Sequence, residues 1–282
     1  MQIDSSTKLY CLIGHPISKS LSPEIHNYSF DKNNINAKYV ALDVPKESLK
    51  QAVEGIRHLG IGGVNVTIPH KVDIIKYLDE LDEEAELLGA VNTVKNENGK
   101  LIGYNTDGRG FVNVLKDKGI EIKNKSIVIL GAGGAARAIS IMLAREGIKE
   151  ITIFNRTLQK AKVIIDEIAD KFPKVKGLCN TLEDNQSNLK NTDILINCTS
   201  IGMYPNSEEM PIDPKVLSSD TIVCDIVYKP LETKLLKSAK ELGQTTIDGL
   251  NMLIYQGILS EEIWLERSID KEKVIEWFKE KI

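Results

Sequence analysis

The sequence predicts an α/β chain of two units, and three observations lead there. Short β-branched apolar runs alternate with amphipathic helical stretches along most of the chain, as in strands crossed by helices. The length, 282 residues, suits two ordinary cores. A glycine-rich turn, Gly131-Ala132-Gly133-Gly134-Ala135-Ala136, stands in mid-chain between such a strand and such a helix.

Lys8–Ile13 reads as the first strand, ended by Gly14-His15-Pro16. Ser18, Ser20 and Ser22 then make a hydroxyl-rich turn beyond a strand's carboxyl end, where open α/β sheets bind ligands. Ser22 can also cap a helix whose first residue is Pro23, and both roles stay open. Ala37–Val44 is a second strand, and Lys46–Leu59 a helix with Leu49, Val53 and Ile56 on one face. Val64–Ile68 is a third strand, closed by Pro69. Pro69-His70-Lys71 opens a helix running to Tyr77, which puts Thr67 and Lys71 at a strand-to-helix junction. Asp82–Leu88 is helical and stops at Gly89. Ala90–Lys95 and Leu101–Tyr104 flank Asn98-Gly99, a strong hairpin signal, and the second arm runs into Asn105-Thr106-Asp107-Gly108. Phe111–Leu115 starts a bridging helix that Gly119 ends.

Ser126–Leu130 is a short buried strand. The glycine turn follows at once, then a helical stretch over Ala138–Ala144 stopped by Gly147, then a strand at Ile151–Phe154. That order is the context a dinucleotide fingerprint needs. Gly131 turns the chain sharply, Gly133 lets a pyrophosphate approach the backbone, and Ala136 allows close helix–strand packing. The helix start offers free N–H groups and a positive dipole end to phosphates. At the end of the second strand stand Asn155-Arg156-Thr157, with Lys160 one turn on. No carboxylate is there to take a ribose 2′-hydroxyl, and a guanidinium grips a phosphate in a bidentate way, so the sequence predicts NADP over NAD. Leu158–Phe172 is helical, and Asp193–Asn197 is a strand leading to Cys198-Thr199. Thr221–Tyr228 is a strand broken by Lys229-Pro230, Thr233–Leu242 a helix, and Thr245–Ile247 a last short strand. Asp248-Gly249 leads into helices over Leu250–Arg267 and Lys271–Lys279.

Composition narrows the partners. Net charge is −4 with pI near 5.7, which argues against nucleic acid or an anionic membrane. No run approaches the length of a membrane span, and the amino-terminal residues lack a secretory pattern, so a cytoplasmic protein is expected. Cys11, Cys179, Cys198 and Cys224 are far apart and read as buried free thiols. His15, His26, His58 and His70 show no metal-ligand spacing, and no metal is expected.

Seven stretches together resemble the shikimate dehydrogenase family, over essentially the whole chain. They are Ser20-Leu21-Ser22-Pro23, Asn65 to Lys71 (NVTIPHK), Gly89-Ala90-Val91-Asn92-Thr93, Gly103 to Gly108 (GYNTDG), Gly131 to Ala138, Asn155-Arg156-Thr157, and Asp248-Gly249-Leu250 through Gln256. The resemblance implies a two-domain α/β enzyme that reduces 3-dehydroshikimate to shikimate with NADPH. It implies an N-terminal, mostly parallel α/β substrate domain, residues 1–110 and 249–282, whose tail helices return to it. A Rossmann-type NADP-binding domain would span 111–248. By resemblance, substrate contacts map onto Ser20, Ser22, Thr67, Lys71, Asn92, Asp107, Tyr228 and Gln256, with Lys71 and Asp107 the catalytic pair. Cofactor contacts map onto Gly131, Ala132, Gly133, Gly134, Ala135, Asn155, Arg156, Thr157, Lys160, Thr199, Ile226, Gly249 and Met252. Ile226 stands where the family varies.

Carbonyl reduction needs a held hydride donor, a proton for the nascent alkoxide and a fixed substrate. Lys71 is the candidate proton donor, and a protonated amine there would also stabilise the alkoxide charge. A helix start at Lys71 disfavours the ammonium, whereas a neighbouring Asp107 favours it, and the balance is open. Two alternatives remain: a sister enzyme that also oxidises quinate, with NAD, and a dinucleotide-binding sensor without turnover. A monomer or a homodimer fits the sequence equally.

Overall fold

The structure, a computed structural model, describes residues 3–18, 20–181 and 186–281. The chain divides into two compact units, one of residues 1–106 with 254–282, the other of residues 107–253. These limits lie a few residues from the expected 110/111 and 248/249.

The first unit holds β1 (Lys8–Gly14), α1 (Ser22–Lys32), β2 (Ala37–Asp43), α2 (Leu49–His58), β3 (Gly63–Val66), β4 (Glu80–Leu81), α3 (Glu83–Leu88), β5 (Thr93–Glu97) and β6 (Lys100–Tyr104). Its sheet runs β2-β1-β3-β5-β6-β4. β1 pairs parallel with β2 and β3, and β4 with β6, while β3–β5 and β5–β6 are antiparallel. Asn98 and Gly99 take positive φ, 55° and 94°, as a two-residue hairpin turn demands. One face of the sheet buries Cys11, Ile13, Val64, Val66 and Val94 against Leu49, Val53 and Ile56 of α2. That helix presents these residues at the predicted spacing, preceded by a 3₁₀ turn over Lys46–Ser48.

The second unit holds α4 (Asp107–Asp117), β7 (Ser126–Leu130), α5 (Gly134–Arg145), β8 (Glu150–Phe154), α6 (Leu158–Lys171), β9 (Lys176–Asn180), β10 (Ile194–Asn197), β11 (Ile222–Asp225), α7 (Lys234–Glu241) and β12 (Thr246–Ile247). Its sheet is parallel throughout, in the order β12-β11-β10-β7-β8-β9. That is the doubly wound order, with its reversal between β7 and β10. The boundary between units falls inside α8 (Gly249–Leu265), and α9 (Lys271–Lys281) belongs to the first unit.

Several local expectations are corrected. Residues Pro69–Tyr77 do not form one helix: residues 68–72 are turns and loop, and a 3₁₀ turn covers only Asp73–Tyr77. The segment is short and rich in β-branched residues, which favours no α-helix without a packing face. Ser22 does not cap α1. Leu21 is at the cap position without a side-chain bond, and Ser22 is the first helical residue. α4 starts at Asp107, four residues before Phe111, because Gly108 and Gly110 mask a helical turn that packing secures. β4 and β9 carry no strand pattern in the sequence, one being two residues long and the other an edge strand of sequence KGLCN. Cys11 and Cys224 are buried, but Cys179, on edge strand β9, and Cys198, just past β10, are only half-buried. Burial pushes the Cys11 thiol up to about 12.

Candidate active site

In the first unit, the sheet order brings one polar group after another to the same edge. β1, β3 and β6 end there, and the antiparallel β5 begins there, with Ile13 beside Val66, Asn65 beside Thr93 and Thr93 beside Tyr104. The residues just beyond that edge include Thr67, Asn92 and Thr106. The Thr67 N–H donates to the Ile13 carbonyl at 3.0 Å, which fixes where the chain leaves β3. The serine turn follows β1, and it bonds to itself: the Ser20 hydroxyl accepts from the Ser22 N–H at 3.2 Å and donates to the Ser22 hydroxyl at 3.2 Å. Both serines are half-buried.

Asn92 is 2 % exposed and its side chain is held on several sides. Its Oδ1 accepts from the Thr106 N–H at 2.8 Å and from the Thr93 hydroxyl at 3.0 Å. Its Nδ2 donates to Thr106 Oγ1 at 2.9 Å and to Gln256 Oε1 at 3.4 Å. The Thr106 hydroxyl donates to the Gln256 carbonyl of α8 at 2.9 Å. Ser20 and Ser22 aside, the first-unit candidates therefore hang from one strand edge and one helix. Lys71 is half-buried in the turn after β3, and its carbonyl accepts from the Val91 N–H at 2.7 Å, which ties it to the residue before Asn92. With no α-helix beginning there, the helix-dipole effect expected at Lys71 loses its source.

In the second unit, the strand ends supply the other candidates. Gly131 leaves β7 at φ 103°, a left-handed conformation that favours glycine, and a Cβ there would lie 3.1 Å from the Cys198 carbonyl oxygen and from the Thr199 methyl. The turn thus faces Thr199 across the reversal point of the sheet. Gly133 is the cap position of α5 and Gly134 its first residue; both are exposed, a Cβ on either would meet open space, and the first turn of this twelve-residue helix carries no acid. Ala132 and Ala135 are half-buried beside them, and Ala136 is fully buried. The features fit a pyrophosphate against free backbone N–H groups. After β8, the Asn155 side chain donates to the Thr157 carbonyl at 2.8 Å and shapes the turn. Arg156, Thr157 and Lys160 are exposed, and neither Arg156 nor Lys160 pairs with a carboxylate among the described residues. Two exposed cations with no acid paired to them among the described residues fit a 2′-phosphate.

Thr199 depends on a buried pair, Asn197 and Asp225, that no sequence motif singles out. Asn197 Oδ1 accepts from the Thr199 N–H at 3.0 Å and from its hydroxyl at 2.7 Å, and Asn197 Nδ2 donates to Asp225 Oδ1 at 3.0 Å. Asp225 also accepts from the Val227 N–H at 3.0 Å and the Thr233 hydroxyl at 2.7 Å. Burial raises its carboxyl pKa, and those three hydrogen bonds pull the other way. Ile226 and Tyr228 are half-buried, and burial raises the Tyr228 hydroxyl pKa. Gly249 and Met252 are buried instead: a Cβ on Gly249 would run into the Ile226 carbonyl, so this glycine lets α8 start against the exit of β11. The Asp248 carboxylate accepts from the Leu250 and Asn251 N–H groups at 3.1 and 3.3 Å and caps that start. Asn197 and Asp225 each end an apolar strand, and a lone polar residue there was the available signal.

Two family models match the chain. Residues 12–94 match the shikimate dehydrogenase substrate binding domain, and residues 113–227 match the model described as shikimate / quinate 5-dehydrogenase. A shikimate dehydrogenase (NADP(+)) from Caldanaerobacter subterraneus subsp. tengcongensis is 46 % identical over 276 residues, 98 % of each chain. The chain belongs to the shikimate dehydrogenase family. Among solved structures, a shikimate dehydrogenase in complex with NADP+ is 46 % identical with TM-score 0.92, over 100 % of this chain and 98 % of that one. A ligand-free 5-ketofructose reductase of Gluconobacter sp. strain CHM43 is 38 % identical with the same TM-score, over 99 % of this chain and 100 % of that one. The family architecture therefore carries more than one reductase, and the substrate of a shikimate dehydrogenase family member is argued from its side chains. Among the described residues no cluster of metal-binding side chains occurs, and no helix is long and apolar enough to cross a membrane.

Proposed function

We propose that this chain reduces 3-dehydroshikimate to shikimate with NADPH and runs the reverse reaction with NADP. The observation that carries the proposal is a set of neutral donors and acceptors in the first unit, Thr67 and Asn92 at one sheet edge, Gln256 on α8 and Ser20 and Ser22 where the chain enters α1, with the amine of Lys71 in the same unit. A small carboxylate rich in hydroxyls needs such a lining in place of apolar walls. The family membership supports it, as do the exposed cations Arg156 and Lys160 after β8 for the cofactor choice.

NADPH, when bound, supplies the hydride. Ser20 and Ser22 hold the substrate carboxylate by neutral hydrogen bonds, and Thr67, Asn92, Tyr228 and Gln256 take the ring hydroxyls. Lys71 gives its proton to the ketone oxygen as that oxygen gains charge, and its ammonium stabilises the charge as it forms. Asp107, the first residue of α4, orients the lysine and accepts from a substrate hydroxyl. The α5 start from Gly131 to Ala135 would hold its pyrophosphate, and Arg156 with Thr157 and Lys160 its 2′-phosphate, in the turn that Asn155 shapes. Thr199, Ile226, Gly249 and Met252 would be further contacts for the cofactor, and Gly249 also lets α8 start against Ile226. A cytoplasmic monomer or homodimer accompanies this reading, supported by the free thiols and acidic composition.

One assay tests the proposal: NADP reduction with shikimate, run beside quinate and beside NAD. Turnover confined largely to shikimate with NADP is the expected result. Equal turnover on quinate or with NAD favours the broader sister enzyme, which the second family model also covers by its description. NADP binding with no turnover on either acid favours a sensor and overturns the proposal.

A further inference from the structure

Glu261 lies on α8 fully buried, and nothing in the proposed reaction uses it. Its two carboxylate oxygens are taken by two residues of α1. His26 Nδ1 donates to Oε1 at 2.7 Å, and the Ser29 hydroxyl donates to Oε2 at 2.5 Å. His26 and Ser29 are three residues apart and share a helix face, so one carboxylate grips a full turn of α1.

The grip continues into the strand edge. The His26 ring stacks on Tyr39 of β2, centroids 4.1 Å apart and planes 21° apart. The Tyr39 hydroxyl donates to Asn65 Oδ1 at 2.8 Å. Asn65 Nδ2 then reaches Ser260, the neighbour of Glu261, at 2.9 Å, and the Asn92 carbonyl at 3.2 Å. A closed buried circuit of hydrogen bonds and one ring stack thus runs from α1 to α8, to β3, to β2 and back.

Burying a carboxylate is costly, and an apolar pair of matching size often packs two helices as well or better. Packing alone therefore does not explain Glu261. What the apolar pair lacks is a fixed register along the helix axes. Both gripped elements carry proposed substrate groups: Ser22 is the first residue of α1, and Gln256 lies on α8 five residues before Glu261. The α1 start has no side-chain cap of its own to hold it.

We propose that Glu261 is a positioning residue that sets the register of α1 against α8, and so the spacing of Ser20 and Ser22 from Asn92 and Gln256. The inference rests on the substrate roles proposed for those four residues. Misplacing them by a fraction of an ångström weakens substrate binding while leaving the proton donor and the cofactor side intact.

Steady-state kinetics of Glu261→Leu and Glu261→Gln, with shikimate and NADP varied separately, test it. Glu261→Leu should raise the KM for shikimate about tenfold or more, with kcat and the KM for NADP within about threefold of wild type. Glu261→Gln, which keeps an acceptor oxygen, should restore part of the loss. Should either variant fail to fold, Ser29→Ala removes one of the two bonds and should give a smaller rise of the same kind. A folded variant set with wild-type KM for shikimate overturns the positioning role, even if melting temperatures fall. Wild-type protein inert on shikimate overturns the functional reading itself and this inference with it, so the two failures are told apart.

Discussion

In the first unit, the candidate groups are held by side chains. Asn92 is bonded to Thr93, Thr106 and Gln256, and behind it stand Asn65, Ser260 and Glu261. In the second unit, much of the holding is done by backbone and by missing side chains. Gly131 turns where a Cβ would crowd Cys198 and Thr199, and Gly249 starts α8 where a Cβ would strike Ile226. The difference fits the ligands proposed for the two units. A pyrophosphate can be met by N–H groups that any helix start offers, once bulk is removed. A chiral ring with several hydroxyls needs donors and acceptors at chosen angles, which only a supported set of side chains supplies.

The comparison predicts which parameter each substitution moves. The largest effect belongs to Lys71→Ala, which should lower turnover by orders of magnitude while calorimetric shikimate affinity changes little. Near-native turnover would remove Lys71 from the chemistry. Next, Arg156→Ala should weaken NADP by roughly ten- to hundredfold in KM and leave NAD unaffected, since only NADP carries the 2′-phosphate.

Gly249→Ala should destabilise the fold by about 1–3 kcal/mol, read as a lower denaturant midpoint, because the Ile226 backbone must move to admit the methyl. Ser22→Ala should cost about 0.5–1.5 kcal/mol of substrate binding, a rise of roughly two- to twelvefold in the KM for shikimate with kcat kept.

The smallest effect separates two acids by pH. The Asp79 carboxyl pKa is lowered, chiefly by the Arg57 guanidinium at 2.6 Å and then by the Leu101 N–H. Its folded value lies below the unfolded one, near 3.8, so its stabilisation is present above that pH and is lost as pH falls through the folded value. Asp225 has the opposite sign: its raised value means stability declines as pH rises from about 3.8 to the folded value, then stays level. Thermal melts of Asp79→Asn against pH should show a flatter loss in acid than wild type. An unchanged acid limb would count against the Arg57 pairing.

Sequence legibility divided along the same line. The glycine turn, the Asn98-Gly99 hairpin and the strands Ser126–Leu130 and Ile151–Phe154 are local signals, and the structure has them where local physics puts them. Lys71 was found as a residue but misplaced on a helix, because apolar spacing over Ile74 and Tyr77 imitates one while only Ile74 is buried. Glu261 and Asn65 stayed invisible as partners: they meet His26, Tyr39 and Ser260 across separations of 26 to 235 residues, and no local pattern encodes such a meeting. Gly249 is a cofactor contact by family resemblance, and the coordinates add a packing reason for a glycine there that only the Ile226 carbonyl reveals.

The division of labour itself has one direct measurement: two-substrate kinetics of Ser22→Ala and Arg156→Ala, side by side with wild type. The account predicts that the serine variant raises the KM for shikimate alone and the arginine variant the KM for NADP alone. If either variant moves the other's parameter instead, the assignment of the Ser20–Ser22 turn to the substrate and of the turn after β8 to the cofactor is contradicted.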